Sequence, residues 1–163
     1  MDINMKKQSC EIKLILPDIR SAHNVGAIFR TADAFGVSKI ILGGYTPAPI
    51  DRFGRERPDI AKSSLGAQNT VAWEQVDNIV EYIEKSKEEG FEIVSLEQSP
   101  DSVEISKYIK KDKVVLIVGN EINGVDQDVL DVSDQILEIP MMGQKESMNV
   151  SVSTGVALYA LSN

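Results

Sequence analysis

Polar residues end two apolar stretches in the last third of the sequence. Residues 114–118 are apolar and lead into Gly119, Asn120 and Glu121, while residues 137–142 are followed soon after by Ser147 and Asn149. If these stretches are parallel strands, the polar groups lie at their carboxyl ends, where open α/β sheets bind small ligands. Amide, hydroxyl and carboxylate groups at that position would orient a ligand through hydrogen bonds. We therefore predict a binding site at this edge of the molecule.

Structural explanations also exist for these residues. Asn123 and Gly124 form a common turn pair, and Ser147 or Asn149 would serve as the N-cap of a final helix. Neither the G-x-G-x-x-G nor the G-x-x-x-x-G-K-[ST] nucleotide pattern occurs in the sequence. His23, the single histidine, is most simply an ordinary exposed residue, which disfavours a hydrolytic triad.

Length and composition predict one domain spanning residues 1–163. With 163 residues, of which 42% are hydrophobic, the chain can bury a sizeable core. Cys10 is the only cysteine, which excludes an internal disulfide, fits a reducing compartment and leaves no Cys/His cluster for a metal. The N-terminus does not read as a signal peptide, and no apolar stretch reaches membrane-spanning length. We therefore expect a cytoplasmic protein with no metal and no membrane partner.

Charge is distributed unevenly along the chain. The net charge of −8 argues against nucleic-acid binding on its own, since phosphate contacts require cations. Residues 1–73, however, carry ten Lys and Arg against seven Asp and Glu, and they contain every arginine of the chain. Arginine suits forked contacts to phosphate, so the clustering suggests a phosphate-bearing partner. Ordinary solvated loop and helix-end charges are the alternative.

Apolar periodicity predicts alternating strands and helices. Strands are predicted at 11–16, 38–42, 91–96, 114–118 and 135–139, and helices at 24–35, 74–89, 102–107, 127–132 and from about 147 to 161. Residues 43–69 are rich in Gly, Pro and Arg and are interpreted as one long loop, which in a compact domain is usually functional or disordered. The alternation indicates an α/β fold with a mostly parallel sheet covered by helices on both faces.

Three short motifs occur in order along the chain. Asn24 is followed six residues later by Arg30, an apolar strand ends in G-x-E-x-x-G at residues 119–124, and I-P-M-x-G at 139–143 precedes S-x-N-V-S at 147–151. Together these motifs resemble those of the SpoU/TrmH family of RNA ribose 2′-O-methyltransferases, in the SPOUT superfamily. Each motif alone would be weak evidence, but their order and spread from residue 24 to residue 151 are hard to obtain by chance.

The resemblance implies a fold feature and a cofactor that periodicity could not suggest. Family members have a deep C-terminal trefoil knot, a topology that is otherwise almost absent from proteins, and bind S-adenosyl-L-methionine (AdoMet) among its loops. By position, the cofactor residues would be Leu96, Gly119, Ile139 and Met148. Met148 stands where relatives more often carry Leu, a similar volume that should change little. The family also implies a homodimer with its active site at the subunit interface.

The resemblance also assigns catalytic positions. Arg30 matches the catalytic arginine, which would stabilise the developing alkoxide or orient a phosphate as proton acceptor. Asn24 lies about 600° around the helix from Arg30 and is expected near the helix cap. Glu121, Ser147 and Asn149 would shape the pocket for the target ribose. A surface ion pair with Asp33 is the structural alternative for Arg30.

The predicted reaction is methyl transfer to a ribose 2′-hydroxyl of tRNA or rRNA. With no added RNA-binding domain expected, RNA contacts would fall to cationic residues within residues 1–73, namely Arg20, Arg52, Arg55, Arg57 and Lys62. Two alternatives remain: a non-catalytic AdoMet- or RNA-binding module, and a methyltransferase acting on a non-RNA substrate.

Overall fold

A computed structural model describes residues 10–163, which contain a seven-stranded sheet in which every strand pairing is parallel. In chain order its strands are β1 (Glu11–Pro17), β2 (Lys39–Gly43), β3 (Trp73–Val76), β4 (Glu92–Leu96), β5 (Val103–Glu104), β6 (Lys113–Ile117) and β7 (Gln135–Glu138). Across the sheet the order is β3-β2-β1-β6-β4-β7-β5. The predicted mostly parallel sheet is thus confirmed, and it is more uniform than expected.

Five α-helices cover the two faces of the sheet. They are α1 (Ala22–Ala34), α2 (Pro58–Ser64), α3 (Ile79–Glu88), α4 (Gln127–Val132) and α5 (Val150–Ser162). Alternate residues of β6 enter different cores: Val114 and Leu116 pack with α1, α2 and α5, whereas Val115 and Ile117 pack with α3 and α4. Because a strand projects successive side chains to opposite faces, a strand covered on both sides is apolar throughout. This explains the unbroken apolar run that marked β6 in the sequence.

On the face of the sheet that carries α1, α2 and α5, α1 packs closely against α2. Gly26 of α1 faces α2, and a Cβ at this position would lie 2.6 Å from the carbonyl oxygen of Ile60. Ile60 is the one fully buried apolar side chain that α2 contributes. The absence of a side chain at Gly26 therefore determines how closely α2 can approach α1.

Several predicted boundaries are wrong. Residues 43–69 are not one loop, because they contain α2 and a 3₁₀ turn at Ala67–Asn69. The helix predicted from residue 74 begins only at Ile79, because residues 73–76 form the edge strand β3. The helix predicted at 102–107 is the short strand β5 followed by a single 3₁₀ turn. Between residues 10 and 163, no helix is long and apolar enough to cross a membrane.

Candidate functional site

A cleft of about 680 Å³ opens at the carboxyl ends of β4, β6 and β7. Since these strands are parallel and adjacent, the segments that follow them converge at one edge of the sheet. The walls are built by residues 96–98, 119–124, 138–141 and 146–153, with some of these positions facing away. Both segments that the sequence singled out as a binding edge therefore border one cavity.

All four predicted cofactor residues line this cleft: Leu96, Gly119, Ile139 and Met148. Three of the predicted catalytic residues, Glu121, Ser147 and Asn149, line it as well. Asn24 and Arg30 are not part of its wall. The structure thus brings together residues separated by up to about fifty positions along the chain, through strands that end side by side.

One wall of the cleft is a tight turn between Gly119 and Gly124. The backbones of Asn120 and Gly124 exchange two hydrogen bonds, of 2.9 and 3.0 Å, and Gly124 has a φ of +70°. A Cβ on Gly119 would lie 2.8 Å from the carbonyl carbon of Gly124. The turn expected from Asn123 and Gly124 therefore exists, and it also lines the cleft.

Glu97 holds the Val125 end of this turn, and it was not predicted from the sequence as a site residue. Its Oε2 accepts a hydrogen bond of 2.8 Å from the backbone N–H of Val125, and it packs against Gly124, where an added Cβ would collide with it. The available signal was its place directly after the apolar β4, which parallels the place of Glu121 just beyond β6. The neighbouring Gln98 donates from Nε2 to the carbonyl oxygen of Glu146 at 2.7 Å and joins two cleft walls.

Glu121 binds the segment that leads into α1. Its carboxylate accepts hydrogen bonds from the backbone N–H groups of Arg20 at 3.0 Å and Ser21 at 3.2 Å, and from Nδ2 of Asn24 at 3.3 Å. Desolvation acts to raise the pKa of Glu121, but these donors outweigh it and hold the pKa below its ordinary value. The carboxylate is therefore ionised at neutral pH and occupied by donors on one side.

Asn24 joins this carboxylate to the last helix. It is buried, and its Oδ1 accepts a hydrogen bond of 3.2 Å from Nδ2 of Asn149. Asn149 is the N-cap of α5 and accepts from Ser151 N at 2.8 Å, so its cap role is confirmed. Asn24 itself is not a cap, contrary to expectation, because Ser21 caps α1 by accepting from Asn24 N at 3.2 Å. Ser147 lies before α5 and does not begin it.

Arg30 lies on the exposed side of α1. It lies 240° around the helix from buried Asn24, about two-thirds of a turn, and its side chain is exposed to solvent. Among the described residues its guanidinium makes no ion pair or hydrogen bond, and the alternative pairing with Asp33 is absent; Asp33 instead accepts from Thr70 Oγ1 at 2.7 Å. Within one chain, the predicted catalytic arginine is therefore exposed and lies outside the cleft lining.

The five cationic residues expected to contact RNA differ in their surroundings. Arg55 pairs with Asp51 at 3.0 Å, and Arg57 pairs with Asp59 at 2.7 Å, a contact that raises the pKa of Arg57 and lowers that of Asp59. Arg52 is exposed and makes no ion pair within residues 10–163. The other two are also exposed, Lys62 on α2 and Arg20 beside the Glu121 carboxylate. Within residues 10–163, no group of His, Cys, Asp and Glu side chains lies close enough together to hold a metal ion.

Known proteins resemble this chain over nearly all its length. It is 33% identical over 155 residues to the tRNA (guanosine(18)-2'-O)-methyltransferase of Aquifex aeolicus, covering 95% of this chain and 70% of that protein. It is 36% identical over 145 residues to the 23S rRNA (guanosine-2'-O-)-methyltransferase RlmB of Neisseria meningitidis serogroup B, covering 89% of this chain. The chain spans only 55% of that second protein's length.

Solved structures share the fold. An AdoMet-bound rRNA methyltransferase from Sinorhizobium meliloti superposes with a TM-score of 0.84 at 27% identity, over 94% of this chain and 56% of that one. The TrmH/SpoU tRNA modifying enzyme of A. aeolicus superposes with a TM-score of 0.79 at 30% identity, over 96% and 75%. The SpoU rRNA Methylase family matches residues 11–159. The chain therefore belongs to the SpoU methylase family, as its three motifs predicted.

Proposed function

We propose that this protein is an AdoMet-dependent methyltransferase that methylates a ribose 2′-hydroxyl of tRNA or rRNA. The observation that carries the proposal is the hydrogen-bonded chain of three motif residues, Glu121, Asn24 and Asn149, beside a cleft lined by all four predicted cofactor residues. Relatives over 30% identical are named as tRNA and rRNA 2′-O-methyltransferases. These relatives include enzymes named for each RNA class, so both classes belong to the proposal.

The chemistry of the cleft suits AdoMet. Its volume of about 680 Å³ is in the usual range for small-molecule sites. Leu96, Ile139 and Met148 offer apolar surface for an adenine ring, and the turn after β6 offers backbone groups for polar atoms. Four glutamates line the walls, at positions 97, 121, 138 and 146. Their negative charge complements a ligand that carries a sulfonium and an ammonium group.

The reaction requires a weakly acidic hydroxyl to lose its proton. Bound AdoMet would supply an electrophilic methyl group. As the ribose 2′-oxygen forms the new O–C bond, the S–C bond to that methyl group would break and S-adenosylhomocysteine would leave, while the hydroxyl proton must pass to an acceptor. Arg30 is too basic to be that acceptor, so its role is to stabilise negative charge on the oxygen or to orient a neighbouring RNA phosphate as base. Glu121, Asn24 and Asn149 hold the cleft wall, and Ser147, which is exposed at its rim, is available to the ribose.

The position of Arg30 supports a homodimer with shared sites. Because Arg30 is exposed and does not line the cleft of its own chain, we infer that a second chain brings its cleft to this arginine. The helix α5, which packs on α1, carries exposed apolar residues at Val152, Val156 and Tyr159, exposed by 54%, 39% and 62%. A helix that is apolar on all sides is typically covered on all sides. The proposed dimer face therefore combines α1 and α5.

Two further features of the proposal follow from family membership. The trefoil knot is supported by the path of residues 139–149, which run from the end of β7 past β4 and β6 to reach Asn24 at α1. RNA contacts are assigned to Arg20, Arg52, Arg55, Arg57 and Lys62, supported by their exposure or partial exposure in a chain that is otherwise acidic. A cytoplasmic location is proposed because tRNA and rRNA are found there.

The experiment that tests this function is methyl transfer from radiolabelled AdoMet to undermodified tRNA and, separately, to undermodified rRNA. The labelled RNA is digested to nucleosides and the product is identified. A 2′-O-methylated nucleoside is the expected product, and the RNA that accepts the label identifies the substrate class. AdoMet binding without label in either RNA would instead favour the non-catalytic module. Label in protein or small molecules alone would favour a non-RNA substrate.

A further inference from the structure

A second cleft lies beside the cofactor cleft, beneath a hairpin tip that presents an exposed aromatic ring. This cleft has a volume of about 520 Å³, and its lining includes Tyr45, Thr46, Arg52, Phe53 and Gln75. Phe53 is 66% exposed, so its ring is accessible to a ligand. The structure points to a nucleobase-binding site here, with Phe53 as the stacking surface.

The hairpin that carries Phe53 is rigid without any partner. Its ends pair at Ile50 and Glu56, and Asp51 organises the tip: its Oδ1 accepts from the backbone N–H groups of Phe53 at 2.8 Å and Arg55 at 3.0 Å. Gly54 completes the tip with a φ of +76°. Because these hydrogen bonds fix the backbone on both sides of the ring, the tip loses little conformational entropy when a ligand binds. The ring is therefore already positioned for a contact.

Two guanidinium groups accompany the ring. The Cζ atoms of Arg52 and Arg55 lie 4.7 and 5.0 Å from the centre of the Phe53 ring. Arg55 is held by its ion pair with Asp51, whereas Arg52 makes no ion pair within residues 10–163 and is free to leave the ring for a phosphate. An aromatic ring flanked by cations matches single-stranded nucleic acid, whose bases stack while its phosphates require positive charge.

The position of the second cleft relates it to the cofactor cleft. Tyr45 lines the second cleft, and its hydroxyl accepts a hydrogen bond of 3.0 Å from Nδ2 of Asn120, which lines the first. A nucleotide in the second cleft would therefore lie one side chain away from the cofactor site. This suits a base near the methylated ribose, so the inference rests on the proposed function and adds a recognition site to it.

The test compares Phe53→Leu with Phe53→Trp. Leucine keeps an apolar side chain and the Asp51 hydrogen bonds to the backbone but cannot stack, whereas tryptophan stacks at least as well. Ile109→Ala, which removes another exposed apolar side chain far along the chain, is the matched control. Anisotropy measures binding of a labelled oligoadenylate and of an abasic ribose-phosphate chain of equal length.

We expect Phe53→Leu to weaken oligoadenylate binding about tenfold, in line with the loss of one stacked base. Binding of the abasic chain, AdoMet affinity and the melting temperature should stay unchanged, and Phe53→Trp and Ile109→Ala should bind as the wild type does. Equal loss on both probes, no loss, or no oligoadenylate binding by the wild type would overturn the inference. Loss of binding to anionic lipid vesicles instead would assign the tip to a membrane surface and also overturn it.

The two proposals fail separately. If wild-type protein methylates no RNA but Phe53→Leu still selectively loses oligoadenylate, the stacking site stands and the methyl-transfer function falls. If methyl transfer stands while Phe53→Leu binds and methylates like the wild type, only the stacking site falls.

Discussion

The side-chain amide of Asn24 connects two cleft segments that lie 97 and 125 residues away along the chain. It donates to Glu121 and accepts from Asn149, which also settles the orientation of the amide. A neutral amide that both donates and accepts can join a carboxylate to another amide, and neither Asp nor Leu could do so. This explains why an asparagine is needed at a buried position that shows no sign of being a helix cap.

Arg30 is the residue on which the proposed chemistry depends most directly. Arg30→Ala should lower the rate of methyl transfer by about 10²- to 10³-fold, the usual cost of removing one group that stabilises transition-state charge. AdoMet affinity, measured by calorimetry, should not change, because the proposed role of Arg30 is toward the ribose 2′-oxygen or an RNA phosphate and not toward the cofactor.

Arg30→Lys is the matched variant for this prediction. Lysine keeps the charge but lacks the forked geometry, so partial activity would indicate charge stabilisation and none would indicate orientation of a phosphate. Full turnover in Arg30→Ala would remove this residue from the mechanism.

Glu121 should contribute stability that depends on pH. Its pKa in the folded chain is held below its ordinary value by the hydrogen bonds from Arg20, Ser21 and Asn24, so the stabilisation is fully present above its unfolded pKa and is lost as the pH falls through the lowered folded value. The difference in unfolding free energy between wild type and Glu121→Gln should therefore be largest near neutral pH and shrink in acid. Urea unfolding at a series of pH values measures it.

Glu84→Gln, on the exposed face of α3, controls for the loss of a carboxylate elsewhere. If the Glu121→Gln difference stays constant down to the acid limit, the hydrogen bonds from Arg20, Ser21 and Asn24 do not favour the charged form.

At the scale of elements, the close packing of α2 against α1 depends on one glycine. Gly26→Ala would drive a methyl group against the Ile60 carbonyl oxygen, a backbone atom that cannot rotate away. We expect a net loss of stability, since overpacking costs about 1–3 kcal/mol and the gain from replacing a helical glycine is only about 1 kcal/mol. The urea midpoint, at one protein concentration, measures the change.

Gly155→Ala in α5 is the matched control for Gly26→Ala. Its added Cβ would meet only Thr31 Cγ2 at 3.5 Å, an ordinary contact, so this helical substitution should leave stability unchanged or raise it. If both variants behave alike, α1 and α2 have room between them and the close approach at Gly26 does not limit their packing.

The elements that the sequence predicted are those whose packing leaves a periodic pattern. The central strands β1 and β6 are mostly apolar because both of their faces are covered, with charged residues only toward their amino ends, and α1 shows one apolar stripe. By contrast, α2 buries little besides Ile60, and β3 is a four-residue edge strand with no fully buried residue. Neither segment carries enough apolar residues for a period to show.

The site was predicted in a similar way. The wall residues follow apolar strands or stand in motifs, so they could be identified from type and spacing. Glu97 has no motif, and Phe53 lies in a hairpin that depends on Asp51 hydrogen bonds, which no pattern of hydrophobicity reveals. That Arg30 does not line the cleft of its own chain is likewise a property of the folded arrangement and not of its spacing from Asn24.

At the scale of the whole molecule, the proposed homodimer predicts that activity requires two chains, because Arg30 does not line the cleft of its own chain. The variant Arg30→Ala removes the arginine and keeps the cleft intact. The variant Gly119→Val keeps the arginine and should disrupt the cleft, because even a Cβ at Gly119 would approach the carbonyl carbon of Gly124 to 2.8 Å. Each variant alone should form only inactive homodimers. In a mixed dimer, one site would pair an intact cleft with an intact Arg30.

Co-expression of the two variants with different tags, followed by purification through both tags, isolates that mixed dimer. We expect its methyl-transfer rate to be about half that of the wild type, since one of two symmetric sites is restored. If Arg30 served the cleft of its own chain, every site in the mixed dimer would lack either its arginine or its cleft, and no activity would return. Recovery of the paired tags without activity would therefore contradict sharing of the site, whereas failure to recover the pair would contradict the dimer itself.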